Sequence, residues 1–129
     1  MGGSKSLIGL AVIAAAAMAA SQWWVATQEQ RLGRQVAGLA GAGDIHMLSS
    51  NTCPICTRAR LWFKANEVKF DECFIETDRQ CALLFEATRA PGTPAILVRG
   101  QAQVGFDPRR IAARLSGTDA AAGALNPKR

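Results

Sequence analysis

Residues 7–26 read LIGLAVIAAAAMAASQWWVA, twenty positions without a charged side chain. No other part of the chain restricts its own conformation as much. Hydrocarbon offers the backbone no water to bond, so a single segment that crosses it must satisfy its amides internally, as a helix. At 1.5 Å per residue twenty residues reach about 30 Å, the thickness of a bilayer's hydrocarbon core. Trp23 and Trp24 stand near the far end, where indole rings suit the membrane-water boundary. The first reading is a retained anchor. The second is a cleaved signal peptide, with a short basic start at Lys5 and Ala17-Met18-Ala19 as a small-residue cleavage site. A buried soluble helix ranks third.

Flanking charge barely sets an orientation, because Lys5 and the terminal amine oppose Arg31 and Arg34. A very short tail before a signal-like segment stays inside, which leads to a single-pass protein of the inner membrane with its domain on the outer, periplasmic face. A cytoplasm-facing domain is the alternative. The stretch EQRLGRQVAGLAGAG, residues 29–43, reads as a helical continuation fading into a Gly/Ala linker. The expected layout is an anchor or signal over 1–28, a linker over 29–43, a domain over 44–116 and a disordered tail over 117–129.

Charge excludes one function class. The net charge is +5, yet ten of the fifteen basic and eight of the ten acidic side chains fall within residues 44–115. The domain itself is therefore close to balanced, without the basic, aromatic-studded face of a nucleic-acid binder. A monomer that recognises no nucleic acid is expected.

Within the domain, DIHML (residues 44–48) reads as a buried strand. SSNTCP turns, and Pro54 fits a helix's first turn, where its missing N–H costs nothing. Ile55, Ala59, Trp62 and Phe63 then mark one face of a helix ending near Asn66. Residues 68–75 alternate as a strand. Thr77 or Asp78 caps a second helix carrying Leu83, Leu84 and Ala87, which stops before APGTP. AILV and QAQV form a hairpin across Arg99-Gly100, Gly105 breaks it, and Asp107-Pro108 opens a last helix to about Leu115. The order is β-α-β-α-β-β-α, in which strand-helix-strand units imply a parallel pair.

The chemistry lies in Cys53-Pro54-Ile55-Cys56. Free N–H groups of a helix's first turn and the helix dipole favour the thiolate, the reactive form, at a cysteine placed there. Cys53 precedes the helix and is the nucleophile; Cys56, one turn on, can attack a mixed disulfide and release the partner. Zinc is a competing use for a C-x-x-C, with Cys73 seventeen residues beyond Cys56 as a third ligand. That set fails at the fourth ligand, since Cys81 follows Cys73 by eight positions, and no metal is expected. A static pair of buried thiols or a structural disulfide is the remaining alternative.

IHMLSSNTCPICTRARLWF, APGTPAILV and VGFDPRR together resemble a glutaredoxin, over roughly residues 44–116. The resemblance implies a thioredoxin-like α/β fold, a four-stranded mixed sheet flanked by helices and here preceded by one hydrophobic helix. It implies a cis proline at Pro94, with Thr93 docking the substrate chain beside the nucleophile, and a glutathione groove lined by Gly105 and Asp107. Asp107 would meet the glutathione amino group. The sequence departs from the family in three places. Ser50 or Asn51 stands where a Lys contacts a glutathione carboxylate, Ile55 replaces the aromatic between Pro54 and Cys56, and Val104-Gly105 replaces a Gly-Gly pair. Arg58 or Arg89 is a candidate substitute for the missing cation.

Cys73 and Cys81 can form a second disulfide in an oxidising compartment, although two unrelated semi-buried thiols are the favoured reading. His46, the only histidine, reads as structural. Arg58, Arg60 and Lys64 read mostly as a solvated helix face. The expected function is a membrane-tethered thiol-disulfide oxidoreductase that reduces or exchanges protein disulfides or glutathione mixed disulfides. No bound cofactor is expected, with glutathione as a candidate co-substrate. A non-enzymatic, membrane-anchored interaction module with static cysteines is the alternative.

Overall fold

A computed structural model describes residues 3–118, in a chain that divides into two units, Met1–Arg31 and Leu32–Arg129. The expected disordered tail falls, from residue 119 on, outside the described residues. A single helix, α1 (Gly3–Leu39), accounts for every described residue of the first unit. It is long and apolar enough to cross a membrane, with a mean hydropathy of 1.6 over its most apolar window. Leu7, Ile8, Leu10, Ile13, Trp23 and Trp24 are all exposed on it.

The expected linker over 29–43 is corrected by the second unit. The helical continuation expected there runs to Leu39, but Val36 and Ala40 are buried in the same core as Ile45, Met47 and Phe63, so the segment packs with the domain rather than linking to it. The Gly/Ala content reads as linker, but small residues also let a helix approach closely, and tertiary packing supplies what helix propensity lacks.

Four strands form one sheet in the order β2-β1-β3-β4. β1 (Ile45–Ser49) lies parallel to β2 (Asp71–Phe74) and antiparallel to β3 (Ala95–Val98), which pairs antiparallel with β4 (Gln101–Val104). β2 is shorter than the expected 68–75. Val68 and Phe70 pack on the core from the connection that precedes it. Between β3 and β4, Arg99 and Gly100 both have positive φ, 49° and 81°, as a two-residue hairpin turn that matches strand twist requires. Arg99 is held in that conformation from two sides: its N–H donates to the Asp44 carbonyl at 2.8 Å, and its guanidinium donates to the Leu115 carbonyl at 2.8 Å.

Strand alternation gives the sheet two unequal faces. Ile45, Met47, Ile96 and Val98 join one cluster with the end of α1, α2 (Pro54–Ala65) and α4 (Pro108–Ser116). Leu48 and Ala95 join the other with Cys81, Cys73, Leu97 and Phe85, under α3 (Arg79–Thr88), which among the described residues is the one helix there. Leu83, Leu84 and Ala87, the apolar positions that mark α3 in the sequence, are exposed, while Cys81 is its buried residue. In β4 the apolar pattern is likewise inverted: Gln103 is buried and Val104 is half exposed. The pairing Ile96↔Gln103 puts the glutamine on the thicker face, and its Nε2 donates to the Asp107 carbonyl at 3.5 Å.

Candidate active site

α2 begins where β1 and its turn end, and the cysteine pair sits at that junction. Cys53 is the N-cap, in extended conformation at φ −100°, ψ 106°, and Pro54 occupies the first helical turn. Extended backbone at this position turns the side chain back across the helix start, where four amides lack partners. The Cys53 Sγ accepts the Cys56 N–H at 3.1 Å. Cys53 and Cys56 are disulfide-bonded, with Cα atoms 5.3 Å apart. Cys53 remains half-buried and Cys56 is fully buried, so a partner can reach only the first sulfur.

The turn before the motif is tied to an acidic residue. The Glu76 carboxylate accepts the Ser50 hydroxyl and, at 3.1 Å, the Asn51 N–H. The Ser50 hydrogen bond, aided by the Asn51 amide, holds the Glu76 carboxyl below the usual carboxylate range. Ser50 and Asn51 thus lack the cation that the resemblance implies there, and a carboxylate stands beside them instead. Arg58 is exposed on α2, and Arg89 caps the end of α3 in the left-handed region.

A second acidic residue braces the junction from behind. Arg60 donates from Nε to Glu72 Oε2 and from Nη2 to Glu72 Oε1, both at 2.6 Å, and the fully buried Ser49 donates to Oε1 at 2.6 Å. Burial pushes the Glu72 carboxyl up, but the bonds from Arg60 and Ser49 outweigh it, and the group lies below its ordinary value. The Arg60 guanidinium also lies 5.4 Å from the centre of the Phe74 ring. Arg60 is therefore corrected from a solvated position to a link joining α2, β1 and β2. Twelve residues separate it from Glu72, beyond any local sequence signal.

Thr93-Pro94 is a cis bond, the isomer the resemblance implies. Pro94 is fully buried and Thr93 half-buried. The Pro94 carbonyl accepts the Gly105 N–H at 2.9 Å, and Gly105 has φ +78°, a conformation that favours glycine. Asp107 caps α4, its Oδ1 accepting the Arg109 and Arg110 amides at 3.0 and 3.3 Å. The structure thus joins Pro94 to Gly105 and gives Asp107 a helix to cap.

Cys73 and Cys81 are disulfide-bonded, with Cα atoms 5.9 Å apart, where the sequence reading favours unrelated thiols. The pairing of Leu48 with Cys73 seats Cys73 on the face that α3, which carries Cys81, covers. Among the described residues no group of three or more His, Cys, Asp or Glu is placed to hold a metal ion.

A parallel β1–β2 pair joined through α2, an antiparallel β3–β4 hairpin, a cysteine pair at the start of α2 and a cis proline before β3 define one architecture. The fold is thioredoxin-like. Solved structures similar to this chain include a thioredoxin-like protein, with TM-score 0.48 and 22% identity over 55% of this chain and 97% of that one. A mutant of that protein gives TM-score 0.49 and 22% identity over 58% and 96%. A wheat glutaredoxin gives TM-score 0.43 and 21% identity over 70% of this chain and 85% of its own. No protein-family model matches the sequence, and no curated protein matches it. The thioredoxin-like assignment rests on the strand order, strand directions and helix placement of the domain itself.

Proposed function

We propose that this protein is a membrane-tethered thiol-disulfide oxidoreductase in which Cys53 attacks and Cys56 resolves. The observation that carries the reading is the Cys53 sulfur at the helix start, accepting the Cys56 amide and more open to solvent than its bonded partner. An N–H aimed at a sulfur favours the negative charge that makes it a nucleophile. In the reduced protein the Cys53 thiolate attacks a substrate disulfide; a bond forms from Cys53 to one substrate sulfur, and the other leaves as thiolate. Cys56 then attacks the Cys53 sulfur and releases the second substrate thiol, its proton passing to a departing thiolate. Two electrons have moved to the substrate, and the protein is left with the Cys53–Cys56 disulfide.

Protein disulfides are the leading substrate class, with glutathione mixed disulfides second. Thr93 and Pro94 orient the substrate chain, and Gly105 with Asp107 line the glutathione groove. The Glu76 carboxylate beside Ser50 and Asn51 favours a partner less anionic than glutathione. Residues 7–26 are taken as the retained anchor, with Trp23 and Trp24 at its boundary, and the domain is placed on the outer face of the inner membrane. Two disulfides in one small domain support an oxidising compartment. A C-terminal alkaline phosphatase fusion reports the side: activity supports an outer domain, and an inactive but expressed fusion reverses it.

Reduction of a disulfide-bonded substrate by the full chain, compared with a Cys53→Ser variant, tests the chemistry. Loss of turnover in the variant is expected. A variant that keeps the wild-type rate overturns the reading in favour of a non-enzymatic interaction module with static cysteines.

A further inference from the structure

Among the described residues α3 is the only helix over its face of the sheet, and it leaves part of that face open. A cavity of about 430 Å³ lies there, walled by His46, Cys73, Asp78, Cys81, Leu83 and Leu84. That is within the size range of small-molecule sites, which are concave and mostly apolar with a few convergent polar groups. The polar groups here are chemically matched. His46 Nε2 lies 3.3 Å from Cys73 Sγ. A disulfide sulfur carries no hydrogen, so a hydrogen bond across this contact requires the imidazole as donor, from the tautomer with its proton on Nε2.

We infer that Cys73, Cys81 and His46 form a second thiol-exchange site, separate from the Cys53–Cys56 pair, whose cavity admits a small organic dithiol as reductant. One thiolate of the dithiol attacks Cys73 Sγ, the half-buried sulfur of the pair, from the cavity, since Cys81 is only 2% exposed. A bond forms between those sulfurs, the Cys73–Cys81 bond breaks, and its electron pair leaves on Cys81, which takes from solvent the proton the first thiol had lost there. The second thiol of the dithiol then attacks the first sulfur and expels Cys73 as a thiolate facing the His46 N–H. A disulfide is cleaved faster when its leaving thiolate is stabilised, and that hydrogen bond is what His46 is placed to give. Cys73 then takes the second thiol's proton. The dithiol closes to a cyclic disulfide, and two electrons and two protons have been transferred to the cysteine pair. His46 touches a reacting atom and acts as a catalytic residue of this site. Leu83 and Leu84, exposed on α3, supply apolar walls.

The test uses the full chain carrying Cys53→Ser and Cys56→Ser, so its outcome is independent of the first pair. Dithiothreitol is the probe, and reduction of Cys73–Cys81 is followed by alkylation and mass spectrometry without denaturant, with circular dichroism monitoring the fold. Reduction first-order in dithiothreitol with an unchanged spectrum is expected. Adding His46→Leu should slow it by about tenfold or more, the effect of removing one hydrogen bond to a charged group. His46→Gln, which keeps an N–H near the lost position, should restore much of the rate. Reduction that waits on unfolding, or a folded His46→Leu protein reducing at the parent rate, overturns the inference. Should His46→Leu fail to fold, alkylation of the reduced parent decides instead: Cys73 labelling well ahead of Cys81 supports the site, and equal rates overturn it.

Discussion

Gly33 near the end of α1 lies against Asn66, the residue that caps α2: a Cβ built on the glycine would stand 1.8 Å from Asn66 Oδ1 and 3.0 Å from Asn66 Cβ. Asn66 cannot easily withdraw, because its Nδ2 donates to the Trp62 carbonyl at 2.9 Å and its backbone N–H bonds the same turn.

Two effects oppose each other in Gly33→Ala. Helix propensity favours alanine by about 1 kcal/mol, whereas overpacking against a held side chain costs about 1–3 kcal/mol. The clash should win, for a net loss of about 1 kcal/mol, read by chemical denaturation of the detergent-solubilised chain. Gly38→Ala, which meets nothing within 4 Å, should stabilise and serves as the control.

Glu72→Gln should destabilise the domain by about 1–2 kcal/mol, between the near-zero value of an exposed pair and the 3–5 kcal/mol of a fully buried one. The two side chains are 25% and 12% exposed, which sets the intermediate figure. The folded carboxyl titrates below its unfolded value of 4.5. Its contribution is therefore complete above that pH and is lost as pH falls through the lower, folded value. A stability-pH profile should fall on the acid side for wild type and flatten there in the variant.

In the reduced protein, iodoacetamide should label Cys53 well before Cys56. Both spacing and helix position would allow either sulfur to react, but Cys56 has 0% exposure, and alkylation needs an approachable thiolate. Peptide mapping at short times measures the order.

Asp107 has a capping role that can be separated from any role toward glutathione. Asparagine caps as well as aspartate does, whereas alanine loses about 1 kcal/mol. Asp107→Asn should therefore melt as wild type while raising KM for glutathione, and Asp107→Ala should lose stability as well. Paired melting and steady-state measurements read the two effects.

Much of the domain was legible along the chain. Pro54, Asn66, Asp78, Asp107 and Gly105 mark element ends through local chemistry: a ring that fixes φ, side chains that bond nearby amides, and a residue tolerant of positive φ. Cys53 and Cys56 were legible for the same reason, since three-residue spacing at a helix start is a local relation. The inward face of α3 was not. Leu83 and Leu84 mark the helix in the sequence but lie outward, because one helix on a face leaves part of its own surface uncovered.

The sequence alone determined where α2, α3, α4 and the β3–β4 hairpin begin, that Cys53 and Cys56 stand one turn apart at a helix start, and that one segment is apolar enough to span a bilayer. All of these depend on residues within a few positions of each other. Only the tertiary structure decided that the end of α1 belongs to the domain core, that Glu72 ties Arg60 to Ser49, and that His46 faces the Cys73 sulfur across twenty-seven residues. Such contacts follow from strand register and helix packing, and the alternation of residues along a strand says which share a face without saying what covers it.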